Sequence, residues 1–185
     1  MRQYNLVKKI RPLKGMLLDV DGVLTPGGIW HSDYGDSFKK FDVRDGLALF
    51  ALHKLDIRLG IITGKESKIV GARAKELRID DVYQDSPIKM PAFEDFTDKH
   101  GFDASEVAFI GDDIIDVPVM KACGFSACPS DGAFVARRNA DWVTRASGGN
   151  GAIREVVEII VSAKLGVYPP DTFFSEWVGY LPEQL

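Results

Sequence analysis

From Leu13 to Val20 the chain reads Leu-Lys-Gly-Met-Leu-Leu-Asp-Val, apolar at successive rather than alternate positions. A strand of that kind has no face to offer water, so it belongs inside a sheet covered on both sides. Comparable short runs recur at Ile57–Thr63, Val82–Gln84, Val107–Ile110, Gly124–Cys128 and Trp142–Thr144. Helical patterns separate them, at Gly46–Leu55, Glu66–Leu77, Met90–His100, Ile115–Ala122, Ala133–Asn139 and Gly151–Leu165. Asp45 is positioned to cap the first of these helices, whose Leu47, Phe50, Ala51 and Leu55 make an apolar stripe. Strand and helix in strict alternation predict an α/β fold with a doubly wound parallel sheet. Ligands on such a sheet bind at the C-terminal ends of the strands.

Two segments stand outside the alternation. Residues 28–42 read as a hairpin, with Asp33–Asp36 as the turn between two partly alternating runs. A lone two-stranded hairpin is marginal in water, so this one is expected to pack on its own domain or on another subunit. Residues 166–185 hold Pro169, Pro170, Phe173, Phe174, Trp177 and Tyr180, too aromatic for a free tail. The tail is expected to dock, in cis or on a neighbour, beyond a single domain of residues 1–165.

The 185 residues carry a net charge of −4, which argues against a nucleic-acid footprint. Lys8-Lys9-Ile10-Arg11 reads as a solvated approach to the first strand. The first residues lack the apolar core of a signal peptide, and no run is long enough to span a membrane. Cys123 and Cys128 have no partners for a zinc site and read as reduced thiols, consistent with the cytoplasm.

The polar residues that matter fall just beyond the strands. Asp19 and Asp21 follow the first strand, with Gly22 letting the chain turn so that both carboxylates face one pocket. Two carboxylates about 4 Å apart repel by roughly 4 kcal/mol at an effective dielectric of 20. A hard cation such as Mg²⁺ relieves that. Thr63-Gly64 follows the second strand, Lys89 opens a helix, and Asp112, Asp113 and Asp116 follow the Val107–Ile110 strand. A parallel sheet brings these ends to one edge. Clustered carboxylates, a hydroxyl and a cation in one crevice suit phosphoryl transfer to a carboxylate nucleophile with a bound metal.

Asp19-Val20-Asp21-Gly22-Val23-Leu24-Thr25, Thr63, Lys89 and Gly111-Asp112-Asp113-x-x-Asp116 resemble, in order and spacing, the four motifs of the haloacid dehalogenase superfamily of phosphatases. A narrower resemblance, over residues 10–165, is to 3-deoxy-D-manno-octulosonate 8-phosphate phosphatases. It rests on the hairpin, on Phe41-Asp42-Val43-Arg44-Asp45-Gly46-Leu47 and on Gly148-Gly149-Asn150-Gly151-Ala152-Ile153-Arg154-Glu155. That group has a Rossmann-like fold without a large cap domain, and its members are homotetramers whose hairpins meet at the centre.

The resemblance implies that Asp19 attacks phosphorus to form an aspartyl-phosphate, and that Asp21 protonates the leaving oxygen and then activates water. It implies Mg²⁺ held by Asp19, the Asp21 backbone carbonyl and Asp112, with Asp113 nearby. Thr63 and the Gly64 amide would bind phosphate oxygens, Lys89 would neutralise developing charge, and Asp116 would orient Lys89. Arg44, Lys65 and Arg154 are candidates for contact with substrate anions. The substrate implied is 3-deoxy-D-manno-octulosonate 8-phosphate, on the route to bacterial lipopolysaccharide. A sister group acting on nine-carbon keto-deoxy sugar acid 9-phosphates is the alternative. The chain departs from the pattern at Pro26 (usually Asp), at Thr63-Gly64-Lys65 (usually Ser-Gly-Arg) and at Gln84-Asp85-Ser86-Pro87 (usually beginning Gln-Gly).

Other classes fit less well. A phospho-accepting receiver also combines acids, a threonine and a lysine on a doubly wound sheet. There the acidic pair and the phosphorylated Asp lie on different strands, whereas here Asp19 and Asp21 leave one strand and acids return after Lys89. A non-catalytic regulatory relative would lack the nucleophile or a ligand, and all are present. Gly60-Ile61-Ile62-Thr63-Gly64-Lys65-Glu66 is not a P-loop, which needs one more residue between its glycines and Ser or Thr after Lys.

Overall fold

The six apolar runs do form one parallel sheet, and the structure, a computed structural model, describes residues 2–31, 33 and 37–166. In chain order the elements begin α1 (Arg2–Ile10), β1 (Gly15–Leu18), β2 (Trp30–His31), β3 (Ser37–Phe38) and α2 (Val43–Lys54). They continue β4 (Arg58–Ile62), α3 (Lys68–Glu76), β5 (Asp81–Tyr83), α4 (Met90–His100) and β6 (Val107–Ile110). The chain then runs through α5 (Val117–Ala122), β7 (Phe125–Cys128), α6 (Phe134–Asn139), β8 (Trp142–Val143) and α7 (Ala152–Leu165).

The strand order is β5-β4-β1-β6-β7-β8. Chain order runs outward from β1 through β4 to β5, then returns to the other side of β1 with β6. The reversal leaves a crevice at the C-terminal ends of β1 and β6, where doubly wound sheets bind their ligands. In β1, paired with both β4 and β6, Met16 and Leu18 face one core and Leu17 the other. The first core joins that face to α2, α3 and α7, with Ile10 of α1 completing it; the second joins the opposite face to α4, α5 and α6. Every residue of β1 and β6 is buried, which is why these strands lack alternation.

Two local expectations are corrected. Of Lys8-Lys9-Ile10-Arg11, read as a solvated approach to β1, the three cations are exposed but Ile10 is fully buried, and Lys8 to Ile10 form the last turn of α1. Asp45 does not cap α2. Asp42 does, accepting from the Arg44 N–H at 2.7 Å, and Asp45 sits in the first turn and reaches instead to α7. There it accepts from the backbone N–H groups of Gly151 (3.1 Å) and Arg154 (2.8 Å), which the α7 start leaves without helical partners.

The hairpin forms, with Trp30 opposite Phe38 and His31 opposite Ser37. Trp30 is 69% exposed and Phe38 62%, so among the described residues nothing covers this aromatic pair. The aromatic tail expected to dock lies outside the described residues, apart from Gly166, the left-handed cap of α7. Among the described residues no helix is long and apolar enough to cross a membrane. Both cysteines are free thiols.

Candidate active site

Asp19 leaves the end of β1 with its N–H donated to the Ile110 carbonyl of β6 (3.0 Å), which fixes it at the crevice. Lys89 sits at the start of α4 and is 1% exposed, an unusual place for a lysine. Its ammonium lies 2.7 Å from Asp19 Oδ1 and 2.5 Å from Asp116 Oδ1. Asp116 is itself fully buried, and its Oδ2 accepts from the N–H groups of Asp112 (2.9 Å) and Asp113 (3.0 Å). Both oxygens of Asp116 are therefore occupied, and the residue acts as a bracket between the lysine and the turn after β6. Burial works to lower the Lys89 pKa, but the charges of Asp19 and Asp116 outweigh it and hold the group above its ordinary value.

Asp19, Asp112 and Asp116 each bring one carboxylate oxygen within 4.8 Å of the others. One ammonium faces three carboxylates. Burial pushes Asp19 upward despite Lys89, and burial together with the Asp19 charge pushes Asp112 up to about 8. Asp112 and Asp19 stand within hydrogen-bond reach of each other. A carboxylate pair that must share a proton is a pair that a divalent cation would relieve. With Asp116 engaged by Lys89 and two amides, the oxygens left for an ion belong to Asp19 and Asp112. Hard oxygen donors of this kind fit Mg²⁺.

The turn after β1 is shaped around Asp112. Gly22 has φ +98, and a Cβ on it would lie 2.1 Å from Asp112 Oδ2, so only glycine leaves room for that carboxylate. The Gly148–Gly151 loop buttresses the same turn. A Cβ on Gly148 would lie 1.8 Å from the Gly22 carbonyl oxygen, and the Gly149 N–H donates to Val23 O at 2.9 Å.

Asp21 faces a different set of partners. Thr25, fully buried, offers its hydroxyl to Asp21 Oδ1 (3.3 Å) and to the Val20 carbonyl (3.3 Å). The Lys39 ammonium, brought back by the hairpin, is ion-paired with the same Oδ1. Thr63 is buried just past β4, its N–H bonded to Tyr83 O (2.9 Å), and among the described residues its hydroxyl carries no hydrogen bond. That leaves the hydroxyl available to a ligand.

Residues 40–124 match the haloacid dehalogenase-like hydrolase family. The 3-deoxy-D-manno-octulosonate 8-phosphate phosphatase KdsC of Escherichia coli K12 is 38% identical over 160 residues, which span 86% of this chain and 85% of that protein. The 3-deoxy-D-manno-octulosonate 8-phosphate phosphatase of Moraxella catarrhalis, crystallised with magnesium, phosphate and the KDO molecule, superposes with a TM-score of 0.87. It is 38% identical, over 93% of this chain and 97% of its own. The cobalt-bound deoxy-D-mannose-octulosonate 8-phosphate phosphatase of Haemophilus influenzae gives a TM-score of 0.83 at 32% identity, over 90% of this chain and 99% of its own.

The chain belongs to the haloacid dehalogenase-like hydrolases.

Within this hydrolase Asp19, Lys89, Asp112 and Asp116 come together and Thr63 follows the neighbouring strand β4, but the outlying candidates do not all gather with them. Arg44 is exposed and its fork closes on Asp42, Nε to Oδ1 at 3.2 Å and Nη2 to Oδ2 at 2.9 Å. That hydrogen bonding holds the Asp42 carboxyl down at about 2. Lys65 is exposed and forms no ion pair among the described residues. Arg154, half-buried in the first turn of α7, pairs with Glu158 at 2.8 Å. Gly64 is not required for space, since a Cβ there would meet only Pro87 Cα, at 3.7 Å. Asp113 is exposed and spends its carboxylate on the Ile114 N–H at 2.7 Å, capping the turn into α5. Asp85 has φ +51, a left-handed conformation that explains why glycine is usual at that step and why an aspartate is tolerated.

Lys39 is the residue that sequence reasoning missed. It sits in a polar stretch beside Lys40, and only the return of the hairpin brings it to Asp21.

Proposed function

We propose that this hydrolase is a Mg²⁺-dependent phosphatase that cleaves 3-deoxy-D-manno-octulosonate 8-phosphate through an aspartyl-phosphate on Asp19. The carrying observation is the division of labour in the crevice. Asp116 is consumed by Lys89 and the two amides, so Asp19 and Asp112 remain as a charge-frustrated pair, while Thr63 follows the neighbouring strand β4 with its hydroxyl unbonded among the described residues. The likeness to phosphatases acting on this eight-carbon ester supports the choice of substrate.

In the first step a carboxylate oxygen of Asp19 attacks phosphorus and the bond from phosphorus to the sugar oxygen breaks. Asp21 delivers a proton to that oxygen, since an alkoxide is a poor leaving group. In the second step Asp21 takes a proton from water, the water oxygen bonds to phosphorus, and the Asp19–phosphorus bond breaks to release phosphate. Lys89 holds the Asp19 carboxylate in place and offsets charge on the phosphoryl oxygens, and the Thr63 hydroxyl and Gly64 amide donate to those oxygens. Asp19 and Asp112, with the Asp21 backbone carbonyl, would hold Mg²⁺, which supplies charge neutralisation between nucleophile and phosphate. Asp116 and Asp113 support the arrangement from behind. Lys65, Arg44 and Arg154 remain candidates for the sugar acid, reached from the rim.

The uncovered Trp30–Phe38 pair favours assembly through the hairpins, and we propose a homotetramer in the cytoplasm, acting on the way to lipopolysaccharide. Sedimentation of wild type against Trp30→Ser checks the assembly, which should weaken in the variant. The substrate test is phosphate release with Mg²⁺ from the eight-carbon ester, a nine-carbon keto-deoxy sugar acid 9-phosphate, a hexose phosphate and 4-nitrophenyl phosphate. A kcat/KM preference of about a hundredfold or more for the eight-carbon ester supports the proposal, since discrimination of that size needs built contacts. Preference for the nine-carbon ester transfers the enzyme to the sister activity.

A further inference from the structure

Lysine side chains seldom go inside a protein, yet that of Lys39 is only 6% exposed and is ion-paired with Asp21. The burial is not an accident of a loose loop, because three consecutive residues at the hairpin exit are each fastened. Lys39 holds Asp21, Lys40 Nζ donates to Asn150 Oδ1 at 2.8 Å, and Phe41 lies under the Arg73 guanidinium at 5.5 Å from its ring centroid. Asn150 belongs to the glycine loop that supports the Gly22 turn, so both ends of this clamp rest on the catalytic segment.

The clamp closes on one oxygen. Lys39 and the Thr25 hydroxyl both address Asp21 Oδ1, whereas Oδ2 carries no hydrogen bond among the described residues. A carboxyl group that serves as acid and then as base needs one oxygen held still and the other presented to the reacting atom.

We propose that Lys39 is a positioning residue for the reaction. The hairpin threads it under Asp21 to fix the carboxyl rotamer, reserving Oδ2 for the leaving-group oxygen. This rests on the phosphatase reading above and adds to it a catalytic reason for the hairpin, inside its own subunit. The lysine touches neither phosphorus nor the leaving group and acts through Asp21.

The test compares Lys39→Met with wild type, as the full chain with Mg²⁺, on three esters. These are the eight-carbon sugar acid phosphate, glycerol phosphate (an alkyl ester without a carboxylate) and 4-nitrophenyl phosphate. The parameter is kcat/KM, which covers steps up to loss of the leaving group and so excludes hydrolysis of the aspartyl-phosphate. Nitrophenolate departs without a proton donor, whereas both alkyl esters need one.

The expected result is a loss of about tenfold or more on both alkyl esters, with the aryl ester within about threefold of wild type, as for a misplaced general acid. In an Asp21→Asn background Lys39→Met should then cost nothing further on the alkyl esters. An equal loss on all three esters would make the lysine a structural support and overturn the proposal. A loss confined to the sugar acid, carried by KM, would make it a carboxylate ligand and overturn it equally, as would no loss at all. Wild-type turnover of the aryl ester establishes phosphatase chemistry separately, so failure of that reading is not confused with failure of this one.

Discussion

The two aspartates that leave β1 one residue apart are held in opposite ways. Asp19 is bound into the sheet: its N–H goes to β6, its carboxylate to Lys89, and Lys89 to Asp116 behind it. Asp21 is held from outside the sheet, by a lysine on an inserted hairpin and a threonine four residues on. The contrast teaches how one scaffold supports many reactions. On the reading proposed above, the nucleophile and the metal's carboxylates belong to strand ends that cannot move without disrupting two cores, whereas the acid–base group answers to an inserted hairpin.

The sharpest way to break the contrast is Asp19→Asn. It should keep the fold, since Lys89 retains Asp116, but remove the attacking oxygen. Turnover should fall by roughly 10⁴-fold or more in a steady-state phosphate assay. Activity within about tenfold of wild type would exclude Asp19 as nucleophile, because a general catalytic group is rarely worth so little.

Lys89→Met attacks the same side through stability. It leaves two buried carboxylates without their cation, and breaking such a buried arrangement costs about 3–5 kcal/mol. Urea unfolding at neutral pH in EDTA should show that loss, and low pH should lessen it as the carboxylates take up protons. A cost below about 1 kcal/mol, the level of a surface pair, would mean that the cluster is more hydrated than its burial indicates.

Metal removal gives a third, smaller effect with a definite sign. In EDTA the folded-state pKa of Asp112 is about 8, against an ordinary value of 3.8 in the unfolded chain. Between those values the folded protein holds a proton that the unfolded chain has released, so stability falls as pH rises from about 4 to 8. Mg²⁺ replaces that proton, and its stabilising effect should grow over the same window. Asp112→Asn should flatten the slope and abolish activation by Mg²⁺. An unchanged slope in that variant would remove Asp112 from the pair.

The smallest effect probes a support remote from the chemistry. Asp45→Ala strips two part-buried N–H groups at the α7 start of their acceptor and should cost about 1–3 kcal/mol. A loss within about 0.5 kcal/mol, as for an ordinary surface change, would show that water takes over the role.

Where the sequence was legible, each signal was local. Val107–Ile110 and Met90–His100 coincide with β6 and α4, because an unbroken apolar run and a Pro91 helix start leave little choice. The four site segments followed from the rule that parallel strands bring their C-terminal ends together. What escaped depends on distant partners. Asp45 obeys the capping rule on paper, but Asp42 takes the cap and Asp45 spends its oxygens on amides more than a hundred positions away. Lys39 looks like any solvated lysine until the hairpin folds it against Asp21. The α1 helix escaped because its basic run hides the single residue, Ile10, that goes fully into the core.

The most direct test of the division between the two aspartates is intact-mass spectrometry of Asp21→Asn, mixed with 4-nitrophenyl phosphate and Mg²⁺ and quenched in acid. An aryl leaving group needs no proton, so Asp19 should still be phosphorylated, while hydrolysis stalls without its base. The account predicts that most of the protein gains the mass of one phosphoryl group, carried on the peptide that contains Asp19. No gain in mass while nitrophenol is released, or a phosphoryl group mapped to another residue, would contradict it.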